Sequence, residues 1–168
     1  WVNVPNLGVY RYHVPTKKLF RYILLPGSDK SKNFPQSICI DKEGTLWVGT
    51  NGAGIFRYCP AQDTFEACAK EALKDDFILV YSDNQVIFTL CDYGDELIVG
   101  VHEEELKRFD KKTGEVSIFP APAVHRKIIR YVVCLDDDLW VGTQDGVYVI
   151  NERENTVRHI PADAGGAY

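Results

Sequence analysis

Apolar and polar positions alternate in short runs along this chain and almost nowhere follow a helical period. Ile38 to Asp41, Leu46 to Thr50, Gly54 to Tyr58 and Thr64 to Ala67 are rich in β-branched and aromatic residues. They are too short for helices and predict strands. Between such runs stand Asp41-Lys42-Glu43-Gly44, Asp92-Tyr93-Gly94-Asp95 and Asp110-Lys111-Lys112-Thr113-Gly114. An Asp start and a late Gly suit tight hairpin turns. Only Phe65 to Leu73 has the alanine and lysine content for one or two helical turns.

The pattern repeats. WVNVPNLGVYRY from Trp1 aligns without a gap on WVGTNGAGIFRY from Trp47, as does IVGVHEEELKRF from Ile98, and WVGTQDGVYVI from Trp140 aligns with one deletion. The anchors Trp1, Trp47, Ile98 and Trp140 are 46, 51 and 42 residues apart. Four short strands recurring every 40 to 50 residues are the mark of a β-propeller blade, a four-stranded antiparallel sheet covered on both faces by its neighbours. The fold expected is all-β, a propeller segment over residues 1–168. About four blades are expected, at 1–25 (partial, without its innermost strand), 33–68, 84–120 and 128–161. Coverage on both faces explains why Leu46-Trp47-Val48-Gly49, Leu97-Ile98-Val99-Gly100 and Leu139-Trp140-Val141-Gly142 are apolar or small at both parities. The large residue fills space against the next blade, and Gly49, Gly100 and Gly142 leave room two residues later. Gly54 and Gly146 open the following strand.

The string D-x-x-G-x-L-W-V-G-T-x-x-x-G-φ-x-x-Y, here Asp41, Gly44, Leu46 to Thr50, Gly54, Ile55 and Tyr58, resembles the two-component regulator propeller repeat, as does the S-x-N lead-in at Ser31/Asn33 and Ser82/Asn84. The resemblance covers nearly the whole chain. It is strong around Trp47 and Trp140 and weaker around Ile98, where VHEEE replaces the Thr-x-x-x-Gly part. It implies a periplasmic seven-bladed propeller of a hybrid two-component sensor of gut Bacteroidetes, concerned with glycan fragments. A seven-bladed ring needs roughly 300 residues at this repeat length, so the chain is expected to be a segment of a longer sensor domain. A closed four-bladed ring is the alternative, for which the tail PADAGGAY is a poor closing strand. An open arc leaves a blade face and strand edges uncovered and invites pairing with other blades or a second copy.

Composition narrows the chemistry. The 168 residues carry a net charge of -5 with both signs interspersed, which gives no nucleic-acid footprint. No apolar stretch is long enough to span a bilayer, and the first residues lack a secretory signal pattern. Five cysteines without CxxC spacing argue against a zinc ribbon or a full disulfide framework. Cys39, Cys91 and Cys134 lie in apolar runs as small buried hydrophobes, and a turn pairing Cys59 with Thr64 or Phe65 keeps Cys59 from Cys68. The run Gly49 to Gly54 fits neither G-x-G-x-x-G nor a P-loop, and the strand after it offers no helix N-terminus for phosphate.

His13, His102, His125 and His159 fall in different repeats without metal-ligand spacing. Asp136, Asp137 and Asp138 suit a turn better than a calcium loop. No catalytic residue, metal or cofactor is expected. Recognition is expected at the end where the loops between the second and third strands meet the inter-blade connections, since loops on a rigid scaffold carry function. Candidates are Asn51, His102, Glu103, Gln144 and Asp145 from the former, and Lys30, Asn33, Asn84, Arg126 and Arg130 from the latter. The leading expectation is a non-catalytic extracytoplasmic sensor segment binding an oligosaccharide. A protein-interaction scaffold is the alternative and a propeller lyase or glycosidase the third; no membrane contact is expected of this segment.

Overall fold

The computed structural model describes residues 1–25, 34–68, 86–101 and 106–162. They form four antiparallel sheets in chain order. The first has three strands, β1 (Val2–Val4), β2 (Gly8–His13) and β3 (Lys18–Tyr22). The second has β4 (Pro35–Ile40), β5 (Leu46–Thr50), β6 (Ile55–Cys59) and β7 (Thr64–Ala67). The third has β8 (Ile87–Tyr93), β9 (Glu96–Val101), β10 (Leu106–Asp110) and β11 (Val116–Ile118). The fourth has β12 (Ile129–Leu135), β13 (Asp138–Thr143), β14 (Gly146–Asn151) and β15 (Thr156–Pro161). Each strand pairs with the next in sequence, so every sheet is a meander. Phe65 belongs to β7, because its β-rich neighbours pair with β6; the rest of the suggested helical turn lies outside the described residues. A 3-10 turn at Pro122–Val124, invisible to the period argument, joins the third and fourth sheets.

Three core clusters sit between consecutive sheets. Leu46, Val48 and Phe56 face Val9 and Leu24 of the first unit. Trp47 and Ile55, of opposite parity, face Ile87, Leu97, Val99 and Phe109. Ile98 and Leu106 face Ile129, Leu139, Val141 and Tyr148. The period of two thus serves both walls of each inner sheet, which is why both parities are apolar. Trp47 is 2% exposed, with its ring edge-on to Phe109 at 5.7 Å. Gly49 and Gly100 stand where a β-carbon would lie 2.6 Å from Ile87 Cγ2 and 3.1 Å from Ile129 Cγ2 of the following sheet, respectively. Only a glycine lets the next inner strand approach so closely.

The Asp-to-Trp spacing has a physical cause. Asp41 is buried, accepts the Trp47 indole N–H at 2.8 Å, and accepts the Thr45 N–H at 2.8 Å within the turn. The Lys111 ammonium reaches the same carboxylate at 3.5 Å, and Asp92 and Glu43 at 2.9 and 3.1 Å. Burial would push the Asp41 carboxyl up, but the Trp47 and Thr45 donors and Lys111 outweigh it and hold it below the usual range.

Successive sheets are tied by polar side chains at their inner edges: Asn3 Nδ2 donates to Gln36 O at 3.0 Å, and at matching places, each the register partner of a glycine, Ser37 Oγ donates to Ile87 O at 3.2 Å and Thr89 Oγ1 accepts the Val132 N–H at 3.2 Å. A register shift recurs near the start of β4, β8 and β12, where the ladder yields to these contacts. The outward faces of the end sheets differ. Val2, Tyr12 and Leu19 of the first and Tyr131 and Leu135 of the fourth are exposed.

Candidate functional site

The loops between second and third strands are built by the threonine that closes W-V-G-T. Thr50 Oγ1 donates to Gly54 O at 2.8 Å and accepts the Ala53 N–H at 3.0 Å, and Thr143 Oγ1 stands 2.9 Å from Gly146 O. The third sheet has Val101 at this place, and residues 102–105 lie outside the description. Asn51 is fixed by its backbone, donating to Phe34 O at 2.9 Å and bridging Val86, so one loop touches the starts of two inner strands.

Among the described residues, the fourth sheet has a dense polar cluster at this end. Lys127 Nζ donates to Asp145 Oδ2 at 2.7 Å, the Tyr148 hydroxyl donates to the same oxygen at 3.2 Å, and Thr143 Oγ1 donates to Asp145 Oδ1. The Lys127 ammonium and the Thr143 hydroxyl hold the Asp145 carboxyl well below the usual carboxylate range, and Asp145 in turn raises Lys127. Lys127 Nζ lies 5.4 Å from the Tyr148 ring centre. The exposed His159 ring stacks on Tyr148 at 4.2 Å and 11°, as their direct cross-strand register requires. The result is a fixed cation, a fixed carboxylate and a flat aromatic-imidazole stack, able to offer directed hydrogen bonds and an apolar plane to a polar ligand.

Of the expected site residues, Asp145 is half-buried within this cluster, and Gln144 and Arg126 are exposed beside it in sequence. Arg126 adopts φ 59 before Lys127. Arg130 is exposed with its guanidinium 5.7 Å from the Phe88 ring centre, spanning the starts of β12 and β8. Among the described residues, Asn51 bonds through its backbone to Phe34 and Arg130 lies over Phe88, and neither hydrogen-bonds to the Asp145 cluster. Lys30, Asn33, Asn84, His102 and Glu103 lie outside the described residues. Lys127, Tyr148 and His159 escaped the sequence argument, although Lys127 adjoins Arg126. A cavity of ≈ 350 Å³ in the connection to the fourth sheet, lined by Ile118, Phe119, Pro120, Ala121, Pro122 and His125, escaped it too. Among the described residues no group of three or more His, Cys, Asp or Glu is placed to hold a metal, and no helix is long and apolar enough to cross a membrane.

Four meander sheets, each packed face to face on the next and joined through neighbouring inner strands, define a β-propeller segment. Residues 29–52 match the two component regulator propeller family. The fold is similar to the extracellular domain of the candidate hybrid two component system BT4673 from B. thetaiotaomicron, with TM-score 0.67 and 25% identity, covering 94% of this chain and 20% of that one. The corresponding domain of BT3049 from the same organism gives TM-score 0.70 and 20% identity, covering 94% and 21%. PorZ, a surface component of the type-IX secretion system of Porphyromonas gingivalis, gives TM-score 0.58 and 16% identity over 77% of this chain and 19% of its own. The chain therefore spans about a fifth of the length of the solved domains it resembles. None of the curated proteins matches the chain in sequence.

Proposed function

We propose that this chain is part of the extracytoplasmic sensor propeller of a hybrid two-component system, located in the periplasm and binding a glycan fragment without catalysis. The observation that carries this reading is the coincidence of a regulator-propeller repeat at 29–52 with a fold likeness to two such sensor domains over 94% of the chain. Fold alone would not license it, as the likeness to PorZ illustrates. The loop end supports the chemistry: Lys127, Asp145 and the Tyr148–His159 stack suit a ligand with many hydroxyls and one flat face. Asn51, Gln144, Arg126 and Arg130 are proposed as its neighbours on the same end.

Calorimetry of the whole sensor domain against a panel of glycan fragments tests the proposal. Saturable heat with one fragment, lost on Asp145→Ala, is expected. Silence across the panel overturns glycan sensing, and release of a shortened product overturns the non-catalytic reading. A second reading, assembly with other blades or a second copy, is favoured by the exposed apolar residues on the outward faces of the first and fourth sheets. Sedimentation showing only monomer of this segment at all concentrations would sink self-pairing.

A further inference from the structure

Two thiols from different sheets meet at the interface of the third and fourth sheets. β8 and β12 lie side by side and are tied directly, Thr89 Oγ1 accepting the Val132 N–H at 3.2 Å. Two residues further along each strand stand Cys91 and Cys134. Cys91 is in register with Ile98, whose side chain faces the fourth sheet. Cys134 is in register with Leu139, whose side chain faces the third. The two thiols therefore project into one core cluster from opposite walls, Cys91 buried within it and Cys134 packed against it.

The repeat does not require this meeting. The register partner of Trp140, and so the counterpart of Cys39 and Cys91, is Val133. Cys134 stands one position later, which turns it to the facing wall. Cys39 shares its face with Trp47 and packs on the other interface, where no described residue of the third sheet brings a thiol. Cys59 pairs with Thr64, so the β6–β7 register keeps it from Cys68.

We propose that Cys91 and Cys134 are a modification site, a dithiol that closes into a disulfide staple between the third and fourth sheets on meeting a low-molecular-weight disulfide. A disulfide needs α-carbons within about 7 Å of each other. The single side chain by which Thr89 spans to the Val132 backbone marks an approach of that order. Cys134 is half-buried and Cys91 is 8% exposed, so Cys134 reacts first. Its thiolate attacks the oxidant, for example oxidised glutathione, giving a Cys134–glutathione disulfide and one glutathione thiolate. The Cys91 thiolate then attacks the Cys134 sulfur, forming the protein disulfide and expelling the second glutathione thiolate. The two protein thiols give up two protons, which the glutathione thiolates take, and two electrons, which reduce the oxidant. Burial pushes the Cys91 thiol up to about 12 and raises Cys134 as well, so closure quickens as pH rises.

The test incubates the whole chain with oxidised glutathione at about pH 8.5, where a free thiol is half ionised, then alkylates and maps it. Expected are a loss of two hydrogens in mass, a fall from five titratable thiols to three in denaturant, and one cross-linked peptide pair containing Cys91 and Cys134. The thermal midpoint rises and returns on adding dithiothreitol. Cys91→Ser leaves a stable glutathione adduct on Cys134, whereas Cys39→Ser closes like the parent. A lasting Cys134 adduct in the parent, a bridge to any other cysteine, or five thiols surviving the incubation overturns the proposal. Should Cys91→Ser fail to fold, peptide mapping of the parent decides alone.

Discussion

Trp47 and Trp140 occupy the same position in nearly identical strings, LWVGT in each case, yet they live in different surroundings. Trp47 is buried between the second and third sheets, edge-on to Phe109, with its indole N–H on Asp41. Trp140 is half-buried on the outward face of the fourth sheet, beside exposed Tyr131 and Leu135. The glycines that follow diverge in the same way. A β-carbon on Gly49 would collide with Ser37 and Ile87, whereas on Gly142 it would meet only Tyr131, no nearer than 3.6 Å. The repeat therefore encodes one half of an interface, and the energy of that half appears only where a neighbouring sheet supplies the other.

The largest effect should come from the ring itself. Trp47→Ala removes a fully buried aromatic and leaves a cavity, an expected loss of about 3–5 kcal/mol. Trp140→Ala should cost less than half as much in equilibrium urea unfolding. Equal losses would mean that the two rings are equally covered, and the contrast would collapse. Asp41→Ala comes next, at about 2–3 kcal/mol, because it strands the buried Trp47 N–H and takes one carboxylate from Lys111. Combining it with Trp47→Phe, which deletes the N–H beforehand, should give less than the sum of the two single losses. Strict additivity would show that the hydrogen bond contributes nothing.

Smaller again is the glycine pair. Gly49→Ala drives a methyl to 2.5 Å from Ser37 Oγ and 2.6 Å from Ile87 Cγ2 and should cost about 1–3 kcal/mol. Gly142→Ala has open space and should stay within about 0.5 kcal/mol of the parent. A difference of unfolding midpoints in the reverse order would refute the packing account of the W-x-G spacing.

These contrasts show what the sequence could reveal and where it fell silent. Leu46–Thr50 and Thr64–Ala67 were legible to the residue because turn residues stop just before each, the Asp41-to-Gly44 turn before the first and Gln62-Asp63 before the second. The apolar character of both parities in β5 and β9 announced two covered faces. The difference between Trp47 and Trp140 was not legible, since burial depends on what stands alongside and the local string is the same. Asp41 to Trp47 appeared only as a spacing, and its meaning emerged once the turn folded the carboxylate back on the indole. The rim cluster was half legible. Asp145 was singled out as a loop residue, but its Lys127 partner comes from the inter-sheet connection and its His159 neighbour from the last strand, so both depend on tertiary placement and register.

The subtlest prediction concerns pH and again separates the two tryptophans. Asp41 has a folded pKa held below its unfolded value of about 3.9. Above about pH 4 the carboxylate is ionised in both states and its contribution to stability is fully present. As pH falls further, the unfolded chain takes up its proton first, and the contribution declines until pH has passed through the folded pKa. Asp41→Asn keeps an oxygen able to accept the Trp47 N–H but carries no charge for Lys111, so it removes this acid-sensitive part. Urea midpoints of parent and variant, measured from about pH 6 down to about pH 3, should therefore lie apart at the upper end and converge at the lower. The fourth sheet has no counterpart, because Asp138 accepts Asn151 and Asp137 pairs with exposed Arg153, neither of them reaching Trp140. Asp137→Asn should accordingly leave the acid limb of the curve unchanged. A constant gap between parent and Asp41→Asn across the series would show that Asp41 acts only as a hydrogen-bond acceptor, and the ionic part of the covered interface would have to be abandoned.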